Sequence, residues 1–545
     1  LGLVIHQAAP KLLQSGHLRP AGGLVQRPER KGDLFMARIP LTKHATRHVA
    51  FLLASVGAAS LGLAQDVRPA QVIARVGDLV PNNPGWTITA VNTPFTDIDG
   101  SVGFTGTMAN PAAPTPTSVF VWRDSAPVFT GLAAPDVSFQ IIEDSLGVGQ
   151  NGLYFFSPIF RTEASTSSFD SIWSNLAPIE IREGDPAPGL PGLFVQSTSG
   201  PTIVGGGIGY MVASVRPASG VANQRVLYRW TPAAGFIPLY RSGQAILPAP
   251  DNFPISLGSG LSFRYDAADN AANLIHVIQF DTGQLFNDSY LVVGTPAGLT
   301  VGLREGAPTN DPQFNDLWSI FSFVSINSSG IWVVGGRTNS NLDGVIAVNG
   351  TIALREVAST VDGITLDFPG SVLAVSINND GLVAHVWQHG SAIIPSPTKT
   401  LFIGRATNLL GTSRQVVKIG DQLDTNADGT PDWDVTDLDI TGATSAGLDL
   451  AEDSFINVTL QISPIGTLAP AKAVVRFAIP TLPGGPSCDY DYNQDENVDL
   501  IDAQQMAQVF VGLLTPEANW LDGDLNGDEN ANLTDAQILA AYVVT

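Results

Sequence analysis

Two acidic stretches in the last sixty residues carry the clearest chemistry in the chain. The first places Asp491, Asn493, Asp495, Asn497, Asp499 and Asp502 at positions 1, 3, 5, 7, 9 and 12; the second repeats the spacing with Asp524, Asn526, Asp528, Asn530, Asn532 and Asp535. Oxygen side chains at positions 1, 3, 5, 9 and 12, with a backbone carbonyl at 7, are the calcium-loop arrangement. Ca²⁺ takes about six to eight hard oxygens, and this spacing delivers them from one turn of chain. A helix-like run follows each stretch, at 503–511 and 536–544. No Lys or Arg occurs after Arg476, whereas residues 489–535 hold twelve Asp and Glu, a crowding that two Ca²⁺ would relieve. Such a tail has too small a core to offset its self-repulsion, so it is expected to fold only with calcium.

Paired loops of this kind, each followed by one helix, resemble a type I dockerin module over residues 489–545. The resemblance implies that Asp491, Asn493, Asp495, Asp499 and Asp502 ligate one Ca²⁺ through their side chains. It gives the other ion to Asp524, Asn526, Asp528, Asn532 and Asp535, with Asn497 and Asn530 offering carbonyls. Val498, Met506, Val509, Leu533, Ile538 and Leu539 would form the small core between the helices. Position 6, usually Gly, is Glu496 and Glu529, where a positive φ would cost about 1 kcal/mol. Positions 10 and 11 are Leu500-Ile501 and Leu533-Thr534 rather than the small hydroxyl residues with which cellulosomal dockerins recognise a cohesin. They favour an apolar partner surface, or packing on the protein's own body, over a cellulosome-type cohesin.

A third candidate loop, Asp424, Asn426, Asp428, Gly429 and Asp432, keeps the spacing through position 9, but Val435 stands at position 12. It reads equally as a third calcium site and as an ordinary Asx-rich turn. Catalytic patterns are sparse: there is no nucleophile elbow, phosphate loop or HExxH. Beyond residue 64 the histidines are His276, His385 and His389, too scattered for a three-His metal site unless the fold gathers them. Acidic pairs suited to glycoside cleavage are too numerous to single out by sequence.

The elements that position these residues emerge from a repeat of roughly 57 residues, the kind of period that marks propellers and solenoids. A short apolar strand ends in an anchor, Arg75-Val76-Gly77-Asp78, that recurs at Arg182 to Asp185, Arg241 to Gly243, Arg304 to Gly306, Arg355-Glu356 and Lys418 to Asp421, with a degenerate copy at Pro127 to Gly131. Before six anchors lies another apolar run: Ser118 to Trp122, Asp170 to Trp173, Arg225 to Trp230, Ser289 to Val293, Gly344 to Val348 and Thr400 to Ile403. A seventh, Lys472 to Phe477, has no anchor after it, and the first anchor strand, Val72 to Val76, has no run before it. Asn/Asp/Gly turns such as Asn327 to Gly330 and Asn378 to Gly381 add a hairpin to each unit. Four strands per unit and seven units predict a seven-bladed β-propeller closed by the N-terminal strand, plus a small all-α calcium-loop module. An Arg or Glu repeated in nearly every unit is expected to be structural, because catalysis needs an asymmetric site. The body resembles secreted bacterial proteins with repeats of the Arg182 to Gly189 type, a resemblance that implies no activity.

Of 545 residues, 44% are hydrophobic and only 14% charged, with 55 Gly and 38 Pro, as suits short strands joined by turns. Residues 36–64 read as a signal peptide: Arg38, Lys43 and Arg47, an apolar run, then Ala64 at the cut. Residues 1–35 read as an upstream extension, 65–480 as the repeat body, 481–488 as a linker and 489–545 as the calcium module. Without residues 1–64 the charge moves from −23 to −29, with 19 basic against 48 acidic residues. That balance excludes a nucleic-acid binder, and the single Cys488 excludes a disulfide framework or Cys-based zinc site. Two readings remain. One is a secreted, non-catalytic calcium-binding scaffold that docks through its tail, with a glycan as a further ligand class. The other is a glycoside hydrolase or polysaccharide lyase carried on a dockerin.

Overall fold

The computed structural model describes residues 66–483 apart from short loop segments, together with Gln504, Ala507, Gln508 and Gln537, all four helical. Seven antiparallel sheets, each built on four strands, follow one another along the chain at residues 87–130, 137–182, 193–241, 262–304, 318–355, 371–418 and 433–478. They form the expected seven-bladed β-propeller.

Each blade is buried on both faces, so its central strands lack simple polar alternation. In Gln224–Thr231 of blade 3, Val226, Tyr228 and Trp230 pack against Phe155 and Ile172 of blade 2. The intervening Leu227 packs against Ile278 and Tyr290 of blade 4. In blades 1, 2, 3, 5, 6 and 7 the register slips between the first and second strands, at Ile88/Ala90 and Val372/Ala374 for example. Such bulges increase the local right-handed twist.

The chain closes on itself as its orphan strands foretold. Gln71–Arg75 pairs antiparallel with Ala471–Ala478, with Val72 opposite Val475, and supplies the fourth strand of blade 7. A second contact was not legible: Val67–Pro69 runs parallel to Gln422–Asp424, which itself pairs with the first strand of blade 7. The N-terminal segment therefore supplies both outermost strands of the last sheet and covers the edges that Gln422–Asp424 and Ala471–Ala478 would otherwise present.

Asparagines tie neighbouring blades at the first hairpin turns. The Asn273 carboxamide donates to the carbonyl of Ser328 at 2.8 Å, and that of Asn327 donates to the carbonyl of Asn378 at 3.0 Å. Asn327 and Asn378 each also accept from their own turn, from the N–H of Ile331 and Leu382 at 2.9 Å. One side chain thus closes its hairpin and bonds to the next blade.

Candidate functional site

The repeated anchors form one turn used five times. Its Gly, at 77, 184, 243, 306 and 420, has a φ of +97°, +90°, +81°, +76° and +93°, a range that suits Gly and no branched residue. In each copy the N–H of the residue after that Gly donates to the anchor carbonyl, as from Asp185 to Arg182 at 3.1 Å. The Gly N–H crosses to the next blade, Gly184 to Val195 at 2.9 Å and Gly420 to Val435 at 2.9 Å, and the next blade bonds back, Val195 to the carbonyl of Asp185 at 2.9 Å. The anchor therefore stitches the last strand of one blade to the first strand of the following one. The copy at Arg355 lacks the Gly and closes a wider turn, from the N–H of Ser359 to the carbonyl of Arg355.

The carboxylates around these anchors are engaged in structure. Arg75 bonds Asp78 at 2.8 Å, Arg304 reaches Asp251 at 3.4 Å, and Arg182 and Lys418 lie 3.5 and 3.7 Å from Asp185 and Asp421. Arg355 is buried, with Asp316 at 2.8 Å, Asp311 at 3.1 Å and the Phe314 ring 4.1 Å beneath its guanidinium. Burial pushes the Asp316 carboxyl up, but its bonds from Arg355 and Thr309 outweigh that and hold it below the usual range. Three carboxylates stand above theirs: Asp170, through burial and then its neighbour Glu183; Glu305, through burial with Asp288 adding to it; and Asp421, through burial that its contacts with Lys418 and Arg68 only partly offset. Glu183 and Glu305 hold the same place after the anchor arginine in blades 2 and 4, their N–H groups donating to the carbonyls of Asp170 and Ser289, so they belong to the repeat rather than to a single reactive centre.

The fold does not gather the histidines. His276 lies in blade 4, His385 and His389 in blade 6. His385 is wholly buried; its Nδ1 accepts from the indole N–H of Trp387 at 3.1 Å. Its Nε2 therefore carries the proton toward Ser413 Oγ at 3.0 Å, and Ser413 donates onward to the carbonyl of Leu409 at 2.7 Å. Burial lowers both His276 and His385 to about 3, so both are neutral under ordinary conditions.

The loop from Asp424 to Asp432 is described in full. Its side chains brace the loop: Asp424 accepts from the N–H of Asn426 at 3.2 Å and Gly429 at 2.8 Å, Asn426 from Asp428 at 2.9 Å, and Asp428 from Thr430 at 2.7 Å. Asp432 accepts from the Thr425 hydroxyl at 2.6 Å and N–H at 2.8 Å, which hold it below its ordinary range. Among the described residues no three His, Cys, Asp or Glu are gathered as a metal-binding group in this arrangement of side chains. Sequence reasoning missed what surrounds this loop, namely the parallel strand Val67–Pro69 and the pair of Arg68 with buried Asp421 at 3.4 Å.

The twelve ligand positions from Asp491 to Asp535 lie outside the described residues, as does the signal-peptide segment. Residues 489–544 match the family model of the dockerin type I domain. The chain thus joins a β-propeller to a dockerin, a docking module of a class that generally binds calcium and engages a cohesin-type protein partner. No curated protein matches the chain. Among solved structures, the Dos1 propeller is similar at 9% identity and a TM-score of 0.30, over 77% of this chain and 97% of its own. The native arabinanase Arb43A of Bacillus subtilis is similar at 11% identity and a TM-score of 0.21, over 50% of this chain and 92% of its own. These distant likenesses carry no argument about activity. No helix among the described residues is long and apolar enough to cross a membrane.

Proposed function

We propose that this is a secreted, non-catalytic binding or scaffold protein that presents its propeller through a calcium-loaded dockerin. The observation that carries the reading is the dockerin match at 489–544, beside a propeller whose anchor carboxylates are spent on ion pairs and backbone bonds. Asp491, Asn493, Asp495, Asn497, Asp499 and Asp502 hold one Ca²⁺, and Asp524, Asn526, Asp528, Asn530, Asn532 and Asp535 the second. Asp424, Asn426, Asp428 and Asp432 are the candidates for a third. Leu500-Ile501 and Leu533-Thr534 give the docking face an apolar character.

Calorimetric titration of the chelator-stripped full chain with Ca²⁺ tests the ion count. Two sites are expected, one lost in Asp491→Ala and the other in Asp524→Ala; a third that disappears in Asp424→Ala would add the propeller loop. No binding at millimolar Ca²⁺ would sink the reading. The alternative, a carbohydrate-active hydrolase or lyase, rests on the frequent attachment of dockerins to such enzymes, and release of reducing ends or unsaturated products from a polysaccharide would establish it instead.

A further inference from the structure

Blade 3 departs from the electrostatics of the rest of the chain. Residues 186–250 contain no Asp, Glu or Lys and four arginines, Arg216, Arg225, Arg229 and Arg241, in a protein of net charge −23. Arg216 lies near the end of one strand, Ile208–Pro217, Arg225 near the start of the next, Gln224–Thr231, and Arg241 at the end of the last, Gly235–Arg241. Ser214 faces Arg225 and Val226 faces Arg241, so all three arginines lie at the same end of the sheet.

Arg241 is the anchor residue of this blade, and among the described residues no carboxylate lies within 4 Å of its cation. Its counterparts Arg75, Arg182, Arg304, Arg355 and Lys418 all have one within 4 Å. The residue three positions after Arg182 and Lys418 is an Asp that accepts the anchor's own N–H, at 2.9 and 3.1 Å. After Arg241 that residue is Gln244, whose Oε1 accepts the same N–H at 3.3 Å. Gln244 thus preserves the bond of the turn and removes its charge.

The exposed Arg241 opens onto a groove of about 560 Å³. Its lining combines apolar Leu190, Pro238 and Leu239 with polar Gln224, Gln244 and Ser242. The Gln224 Oε1 is buried without a hydrogen-bond partner, so no bond fixes that carboxamide, and its last torsion is soft.

We propose that this groove binds a polysaccharide of uronic-acid residues. A guanidinium freed of its internal carboxylate is a planar fork suited to an incoming carboxylate. Two primary amides beside it both donate and accept, as sugar hydroxyls require, and the apolar wall suits the C–H face of a pyranose ring. An acidic peptide would satisfy the cation but offers few O–H donors to the amide oxygens. The net charge of −23 opposes non-specific polyanion binding, so retention is expected to depend on this blade. None of the groove's lining residues belongs to a calcium loop or to the dockerin, so its test is independent of docking.

Affinity electrophoresis of the full chain, with chelator present, in gels containing polygalacturonate, its fully methyl-esterified form or poly-glutamate tests the proposal. Retardation by polygalacturonate alone is expected, weakened about tenfold or more in Arg241→Gln. Gln244→Asp restores the internal partner used by other copies and should weaken binding to the same degree at an unchanged melting temperature. Absence of retardation, equal retardation by the esterified polymer, or binding indifferent to Gln244→Asp would each overturn it. Retardation by poly-glutamate of similar strength would also overturn it, in favour of an acidic protein partner.

Discussion

At the scale of single residues, the molecule uses chemistry-bearing side chains chiefly to hold its repeat together. His276 and His385 are the sharpest case. Both are buried and held to about 3 against an ordinary value near 6.5. A depressed pKa in the fold means that the unfolded chain binds more protons between those values, so stability is complete above about pH 6.5 and falls as pH drops toward 3. Thermal melts should shift downward from pH 7 to pH 5, and His276→Gln should flatten that slope; a melting temperature independent of pH over this range would contradict the assignment. Asp170, Glu305 and Asp421, raised chiefly by burial, act in the opposite sense from about pH 4 upward, so the histidine slope is best read near neutrality. Residue types alone could not reveal this neutrality, because burial between blades sets it.

At the scale of elements, two kinds of glycine do different work. Gly184 sits in the anchor turn at φ +90° with open space where a Cβ would stand, so Gly184→Ala should cost only the backbone term, about 1–2 kcal/mol. Gly336 has no positive φ, yet a Cβ there would collide with the carbonyl oxygen of Ile320 on the neighbouring strand. Gly336→Ala should therefore force Trp318–Ile326 away from Trp332–Thr338 and cost more than the turn variant. Chemical denaturation of both variants checks the order. The turn glycines were legible from their Arg-x-Gly-Asp setting, whereas Gly336 was not, since its constraint comes from a bulge in the partner strand between Phe321 and Phe323. The asparagine ties were half visible: Asn327 and Asn378 announced turns, but their bonds to the next blade depend on how blades stack.

At the scale of the whole molecule, stability rests on closure. Blade 7 is assembled from both ends of the described body, with Gln71–Arg75 against Ala471–Ala478 and Val67–Pro69 against Gln422–Asp424. Removing residues through Asp78 would strip the fourth strand from that blade and expose an unpaired edge, a template for association between chains. Such a truncation should melt lower than the chain beginning at residue 65 and form concentration-dependent oligomers by light scattering; a monomer of unchanged melting temperature would show that the clasp is dispensable. Because the loop at Asp424 adjoins the parallel clasp, Ca²⁺ binding there would be felt as closure stability.

The sequence by itself determined the seven-unit repeat, the strand that closes it and the dockerin. Each is written in local signals: turn glycines, apolar runs of fixed spacing, and oxygens at calcium-loop positions. Tertiary structure alone decided how the charges are matched. Whether an anchor arginine meets Asp78 beside it, Asp251 from an earlier loop or, as at Arg241, no acid among the described residues depends on which segments the ring brings within 4 Å. The physical reason is range: turn and strand preferences act over a few residues, while ion pairing follows distance in space, and Arg304 and Asp251 are 53 residues apart in the chain yet 3.4 Å apart in the fold.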